Sequence, residues 1–204
     1  MWCFNQSGLF SGVFIVSRIL CIISVVFGLV LFEPGGVDRA HAEEDTFTKE
    51  EILAKTRGFF GETTEGLAAA VEKVFEDHGR PNAYILGEEA SGAIGVGLRY
   101  GEGELSIKGG STTKIFWQGP SIGFDFGGNA SKVFALIYHL QNVEEMYQRI
   151  PGVEGTAYIV AGVGVNYQQT GDLIVAPMRT GLGLRGGINV GYLHYGPEHS
   201  WVPF

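Results

Sequence analysis

The 204-residue chain holds only two cysteines, Cys3 and Cys21. Both lie in the apolar amino-terminal stretch, so residues 43–204 contain none. That segment forms no disulfide, offers no thiolate nucleophile and builds no cysteine metal site. A membrane-spanning run is missing too. The uncharged stretch Ile19–Phe32 has 14 residues, about 21 Å as a helix against roughly 30 Å of hydrocarbon. A basic stripe is also lacking. Residues 43–204 carry 12 lysines and arginines against 20 acidic groups, net −8, and residues 43–89 alone carry 5 against 12. This balance excludes nucleic acid as a partner and disfavours docking of the first part on anionic lipid.

What is present at the amino terminus sets the compartment. Arg18 precedes the apolar run, and Ala40-His41-Ala42 gives an A-x-A pattern before Glu43-Glu44-Asp45. Charge, apolar run and small-residue site in that order describe a secretory signal peptide over residues 1–42, cleaved near Ala42. The expected product is periplasmic, spans residues 43–204 and is not an integral membrane protein. At 162 residues it is long enough to bury about two-thirds of its unfolded surface as one domain.

Residues 43–82 read as a helical segment packing on the strand-rich remainder of the chain. Thr48 and Glu51 make a capping box, with Phe47 and Ile52 placed as a hydrophobic staple, and the helix is expected to stop near Gly58. A second helix begins around Thr63 or Thr64 and runs to His78. Leu67, Val71, Val74 and Phe75 fall on one face of it, and Gly79-Arg80-Pro81 stops it. From Ala83 to the end, short apolar runs alternate with glycine and turn residues. The candidate strands are 83–87, 93–100, 104–108, 113–118, 121–126, 132–140, 156–167, 172–177, 180–185 and 188–195. The expected fold is mainly β, a small antiparallel soluble β-barrel of about ten strands with short flanking helices. One inserted helix is expected near 142–150, capped by Asn142 with Glu145 three residues on. Glycines at period two (Gly95/Gly97, Gly162/Gly164, Gly181/Gly183) suit the curvature that closing a barrel demands. GVGLRYG at 95–101 is echoed by GLGLRGG at 181–187.

Motifs that could carry chemistry fail on context. Gly181, Gly183 and Gly186 fit G-x-G-x-x-G, but a strand-like INVGYLHY follows where a dinucleotide site needs a helix. Ser111-Thr-Thr-Lys114 matches S-x-x-K without the helix start that chemistry requires. His194, Glu198 and His199 are potential metal ligands, but Gly196-Pro197 between them denies helical alignment. Glu88-Glu89 reads as a turn carrying two solvated charges, and Asn129-Ala-Ser131 as a chance glycosylation pattern. No cofactor, metal or catalytic residue is expected, and the chain reads as no enzyme. The aromatics Phe116, Trp117, Phe124, Phe126, Tyr192 and Trp201 remain as a candidate apolar pocket for a lipid or hydrophobic small molecule.

From EEILAKTRGFFGETTEGLAAAVEKVFEDHGRPNAYILGEEASG through LRYGEGEL, GPSIGFDFGGNASKVFALIYHL and YQRIPGVEGTAYIVAGVGVNYQ to WVPF, the chain resembles the EipA-type cell-envelope integrity family. That resemblance implies a periplasmic β-barrel with flanking helices that supports the envelope, with no established reaction and no site residues to carry over. GLRYGEGEL and PSIGFDFGGNASKVFALIY are also similar in texture to glycine-rich SYLF lipid-binding domains. The leading expectation is a non-enzymatic periplasmic protein that binds a lipid-like ligand or an envelope protein. A small outer-membrane barrel is one alternative. An envelope hydrolase using Glu88, Glu89 and His139 is the other.

Overall fold

Two helices open the computed structural model, which describes residues 45–61, 65–125, 131–180 and 191–200. Helix α1 spans Lys49–Phe60. The Thr48 hydroxyl accepts from the Glu51 amide, and the Glu51 carboxylate accepts from the Thr48 amide at 2.8 Å, the reciprocal box read from the sequence. The helix ends at Gly61, just past the Gly58 expected. Helix α2 spans Glu65–His78 and buries Leu67, Ala70, Val71 and Val74, the stripe that its period predicts.

Among the described residues, nine strands follow in one antiparallel sheet: β1 (Ala83–Ile107), β2 (Thr112–Asp125), β3 (Ser131–Tyr138), β4 (Arg149–Pro151), β5 (Tyr158–Val160), β6 (Val163–Val165), β7 (Gln168–Thr170), β8 (Leu173–Arg179) and β9 (Tyr192–Gly196). Their order is β4-β9-β2-β1-β3-β8-β6-β5, with β7 also on β8. Strand β1 is 25 residues long, about 80 Å if straight. Yet the Lys108 amide donates to the Asn82 carbonyl at 2.9 Å, so the chain must reverse within β1. Its first arm, 83–89, pairs with β3, and its second, 93–106, pairs with β2. Three expected strands, 83–87, 93–100 and 104–108, are thus parts of one doubled-back element.

The sheet curls round on itself. Gly152, just after β4, bridges Gln168 at the start of β7, and the Val153 amide donates to the Tyr167 carbonyl at 2.9 Å. The ring β7-β8-β3-β1-β2-β9-β4 therefore comes back to β7 through one narrow contact.

Alternation along the strands sorts side chains into two cores. One takes residues from strands all round the ring: Ile85, Leu105, Ile115, Trp117, Ile137, Ile150, Val175, Leu193 and Tyr195. It is the barrel interior. The other takes Tyr84, Phe134, Leu136, Tyr138, Ala176 and Met178 on the outer face and covers them with α1 and α2. A hydrogen-bonded run secures α2 to the strands: Tyr158 and Tyr167 hydroxyls lie 3.0 Å apart, and Tyr167 donates to Asp77 at 2.6 Å. Burial pushes the Tyr167 hydroxyl's pKa up, so it stays a donor.

Three expectations need correction. The helix near 142–150 is only a 3₁₀ turn over Val143–Met146, and Ile150 belongs to β4. Asn142 does cap it, with Glu145 accepting from the Asn142 side chain and from the Gln141 amide. The run beyond it, however, is recruited to pair with β9. The single strand 156–167 is a hairpin, β5 and β6, with Ala161 at φ 45° and Gly162 at φ 86° between them. Positive φ at both central residues matches the twist of a tight hairpin, so Gly162 serves a turn and not a strand face. Glu89, read as a solvated turn residue, lies buried within β1. The GLGLRGG echo and the expected strand at 180–185, apart from Thr180, fall outside the described residues.

Candidate functional site

The most unusual chemistry sits inside the barrel. Ile85, Gly87 and Glu89 share the interior face of β1 by period two, which carries the Glu89 carboxylate inward at 4% exposure. Arg99, on the returning arm of β1, and Arg179, at the end of β8, meet it at 5% exposure each. The Arg179 Nε donates to Glu89 Oε1 at 2.9 Å, and its Nη2 to Oε2 at 3.3 Å. Arg99 Nε lies 3.2 Å from Oε1. Trp117 Nε1 donates to Oε2 at 2.8 Å. Burial pushes the Glu89 carboxyl's pKa up, but Arg179 and Arg99 beside it outweigh burial and hold it below the ordinary glutamate range.

The network continues around the wall. Arg179 Nη1 donates to Asn166 Oδ1 at 2.8 Å, and the Tyr195 hydroxyl donates to Gln168 Oε1 at 2.9 Å. Trp117 is seated by glycine. Its indole lies where a Cβ on Gly101 would fall, and a Cβ on Gly87 would also meet its edge. Gly87 and Gly101 therefore make the slot that lets Trp117 reach Glu89.

Among the described residues, two grooves bear on the site. One of about 610 Å³ is lined by His139, Gln141, Glu145, Gln148, Thr170 and Asp172. His139 stands there at φ 62°, with its Nδ1 2.9 Å from the Asp172 carbonyl oxygen. The other, about 280 Å³, is lined by Phe116, Gln118, Tyr147, His194, Tyr195 and Glu198 among others. Among the described residues, no group of three or more His, Cys, Asp and Glu side chains is placed to hold a metal. Nor is any helix among them long and apolar enough to cross a membrane.

The aromatic pocket read from the sequence is divided by the alternation of β2. Trp117 faces the interior beside Tyr195, ring centroids 6.3 Å apart. Phe116 faces out, with Lys114 Nζ 4.9 Å over its ring. Tyr192 of β9 is half-buried under the Arg149 guanidinium, 5.1 Å from its ring centroid. The Phe124 side chain, Phe126 and Trp201 lie outside the described residues. Of the hydrolase candidates, Glu89 is sealed in the ion cluster, Glu88 is exposed on the opposite face and His139 lines the polar groove. His194 and Glu198 share the smaller groove. The sequence does not announce Arg179, because its partner lies 90 residues away, nor Arg99, because the reversal within β1 that returns it to Glu89 is not signalled. The one signal was that Glu89 continues the inward register of Ala83 and Ile85.

The comparisons agree with this architecture. Residues 45–204 match the model of a family described as EipA, envelope integrity protein A. A crystal structure titled as a β-barrel-like, uncharacterized protein from Brucella abortus is 50% identical, covering 78% of this chain and 99% of its own, with a TM-score of 0.71. No curated protein matches the chain.

Proposed function

Because the chain belongs to the EipA family of envelope integrity proteins, we propose that it supports the envelope from the periplasm, without catalysis, by engaging an envelope protein through its outer surface. Export by the amino-terminal signal, with cleavage near Ala42, delivers it there. One observation carries the choice of surface over cavity. Among the described residues, the barrel interior is occupied by packed side chains from Ile85 to Tyr195, with Glu89, Arg99 and Arg179 buried among them, which leaves room for no ligand larger than a small ion. A ligand-carrying barrel keeps that volume open.

The outer face also supports a protein working in water. α1 and α2 cover its apolar part, and elsewhere it presents Glu102 paired with Lys114 at 3.2 Å. A membrane-spanning barrel needs an outward apolar band instead. The sealed Glu89, held ionised by two arginines, is poorly placed as a general acid for hydrolysis. A second reading places a lipid-like ligand in the smaller groove, where Phe116 and Tyr147 supply apolar surface beside His194 and Glu198.

Native mass spectrometry of the protein purified from the periplasm without detergent separates the two. A bare chain mass, together with protein crosslinks in cells, is the expected result. A reproducible adduct of lipid mass, lost on solvent extraction and reduced by Phe116→Ala, would replace the first reading with the second.

A further inference from the structure

The polar groups inside the barrel do not balance. Asn166 and Gln168 are buried at 6% and 0% exposure. They flank Tyr167, whose side chain points the other way to Asp77, while their own side chains meet Arg179 and Tyr195 of the interior network. The orientation of Asn166 is forced. Arg179 can only donate, so the atom it meets must be the amide oxygen, which leaves Nδ2 as a donor. The Gln168 oxygen is likewise occupied by the Tyr195 hydroxyl. Both amide nitrogens, Asn166 Nδ2 and Gln168 Nε2, lack an acceptor among the described residues. Leaving such donors buried and unmet is costly.

The field at this place is positive. Two guanidiniums, Arg99 and Arg179, stand against the single carboxylate of Glu89, each nine-tenths or more buried. Arg99 has contacts beyond Glu89, so the donors still seeking an acceptor are the two amides. A water could accept from both, but it is neutral and leaves the excess positive charge of Arg99 and Arg179 over Glu89 uncompensated. An anion only accepts, and it offsets the charge as well. The packed side chains around the two amides favour a small ion over a larger one.

We propose that the barrel interior holds a site for one small monovalent anion, of the chloride class, bridged between Asn166 Nδ2 and Gln168 Nε2 beside Arg179. The anion is part of the folded interior and stabilises the barrel by binding only when it is closed. This site is independent of how the outer surface engages its partner.

Bromide is the probe. In crystals of the purified protein equilibrated with bromide, the anomalous map should show a peak within hydrogen-bonding distance of both amide nitrogens. In solution, at constant ionic strength, replacing gluconate by chloride should raise the midpoint of thermal unfolding by about 3–5 °C per tenfold increase above the dissociation constant. Asn166→Asp supplies its own negative charge, so it should fold and lose that chloride dependence. Should it fail to fold, Gln168→Glu serves as the second variant with the same expectation. Bromide found only beside exposed lysines, a midpoint indifferent to chloride, or a folded variant that keeps the full dependence would each overturn the proposal.

Discussion

Glu89 is the residue on which the interior turns, and its worth is greatest when it is removed alone. Replacing a whole buried ion cluster by apolar groups is often neutral, but deleting one partner strands the others, at a cost of about 3–5 kcal/mol. Glu89→Gln leaves Arg99 and Arg179 facing a neutral amide, so a loss of that size is expected in urea unfolding. The acid limb follows from the same contacts. The folded carboxyl titrates below its ordinary value, so its contribution is fully present above the unfolded pKa of about 4.3 and is lost as pH falls through the lower, folded value. The wild-type protein should therefore lose stability faster than the variant below about pH 4.3; parallel curves would mean that the carboxylate does not report the fold. Period two alone places Glu89 on a face of its strand but does not reveal its burial. A glutamate beside Glu88 and Gly87 looks like a turn until the distant arginines are brought to it. Phe116 and Trp117, adjacent in sequence, are parted for a related reason, since neighbours in a strand must face opposite sides of β2.

At the scale of the element, the helices were legible because their signals are local: a cap, a period and a stop. Thr48, Glu51 and the Leu67–Val74 stripe all act within a few residues of one another. The hairpin of β5 and β6 was not legible, because its first turn residue is Ala161 at φ 45°, and no residue type announces that conformation when it is not glycine or asparagine. Strand β4 hid behind a capped turn because its pairing partner, β9, lies more than 40 residues away. The way α2 docks gives a prediction with an inverted sign. Gly58 of α1 has open space around its Cα, so Gly58→Ala should stabilise by about 1 kcal/mol, the ordinary gain of alanine over glycine in a helix. At Gly66 the same methyl would run into the backbone carbonyl of Ala161. That clash, about 1–3 kcal/mol for overpacking, outweighs the helical gain, so Gly66→Ala should lower the unfolding midpoint while Gly58→Ala raises it. If both variants rise together, α2 does not rest against the β5–β6 turn as described.

For the whole molecule, the glycine-rich alternation was enough to read an antiparallel barrel, because curvature and period two are written along each strand. Its closure was not readable, since it depends on Gly152 finding Gln168 across an intervening hairpin. That closure is also the thinnest part of the ring. Fourteen residue pairs join β1 to β2 and six join β3 to β8, whereas β4 and β7 meet through one bridge and the Val153–Tyr167 hydrogen bond. Few bonds and few buried apolar neighbours mark the low end of local stability. The seam between β4 and β7 should therefore open before the rest of the ring does. In native-state hydrogen exchange, the Val153 amide should exchange through local opening, with little sensitivity to low concentrations of denaturant. The amides of Phe134 to Tyr138, in the middle of the sheet and covered on both faces, should exchange only by global unfolding. Equal protection at Val153 and Leu136 would show that the barrel opens as one unit and that the interior cluster, not the hydrogen-bonded ring, holds it shut. That second outcome could then be tested through Glu89→Gln, which should lower protection at both positions together.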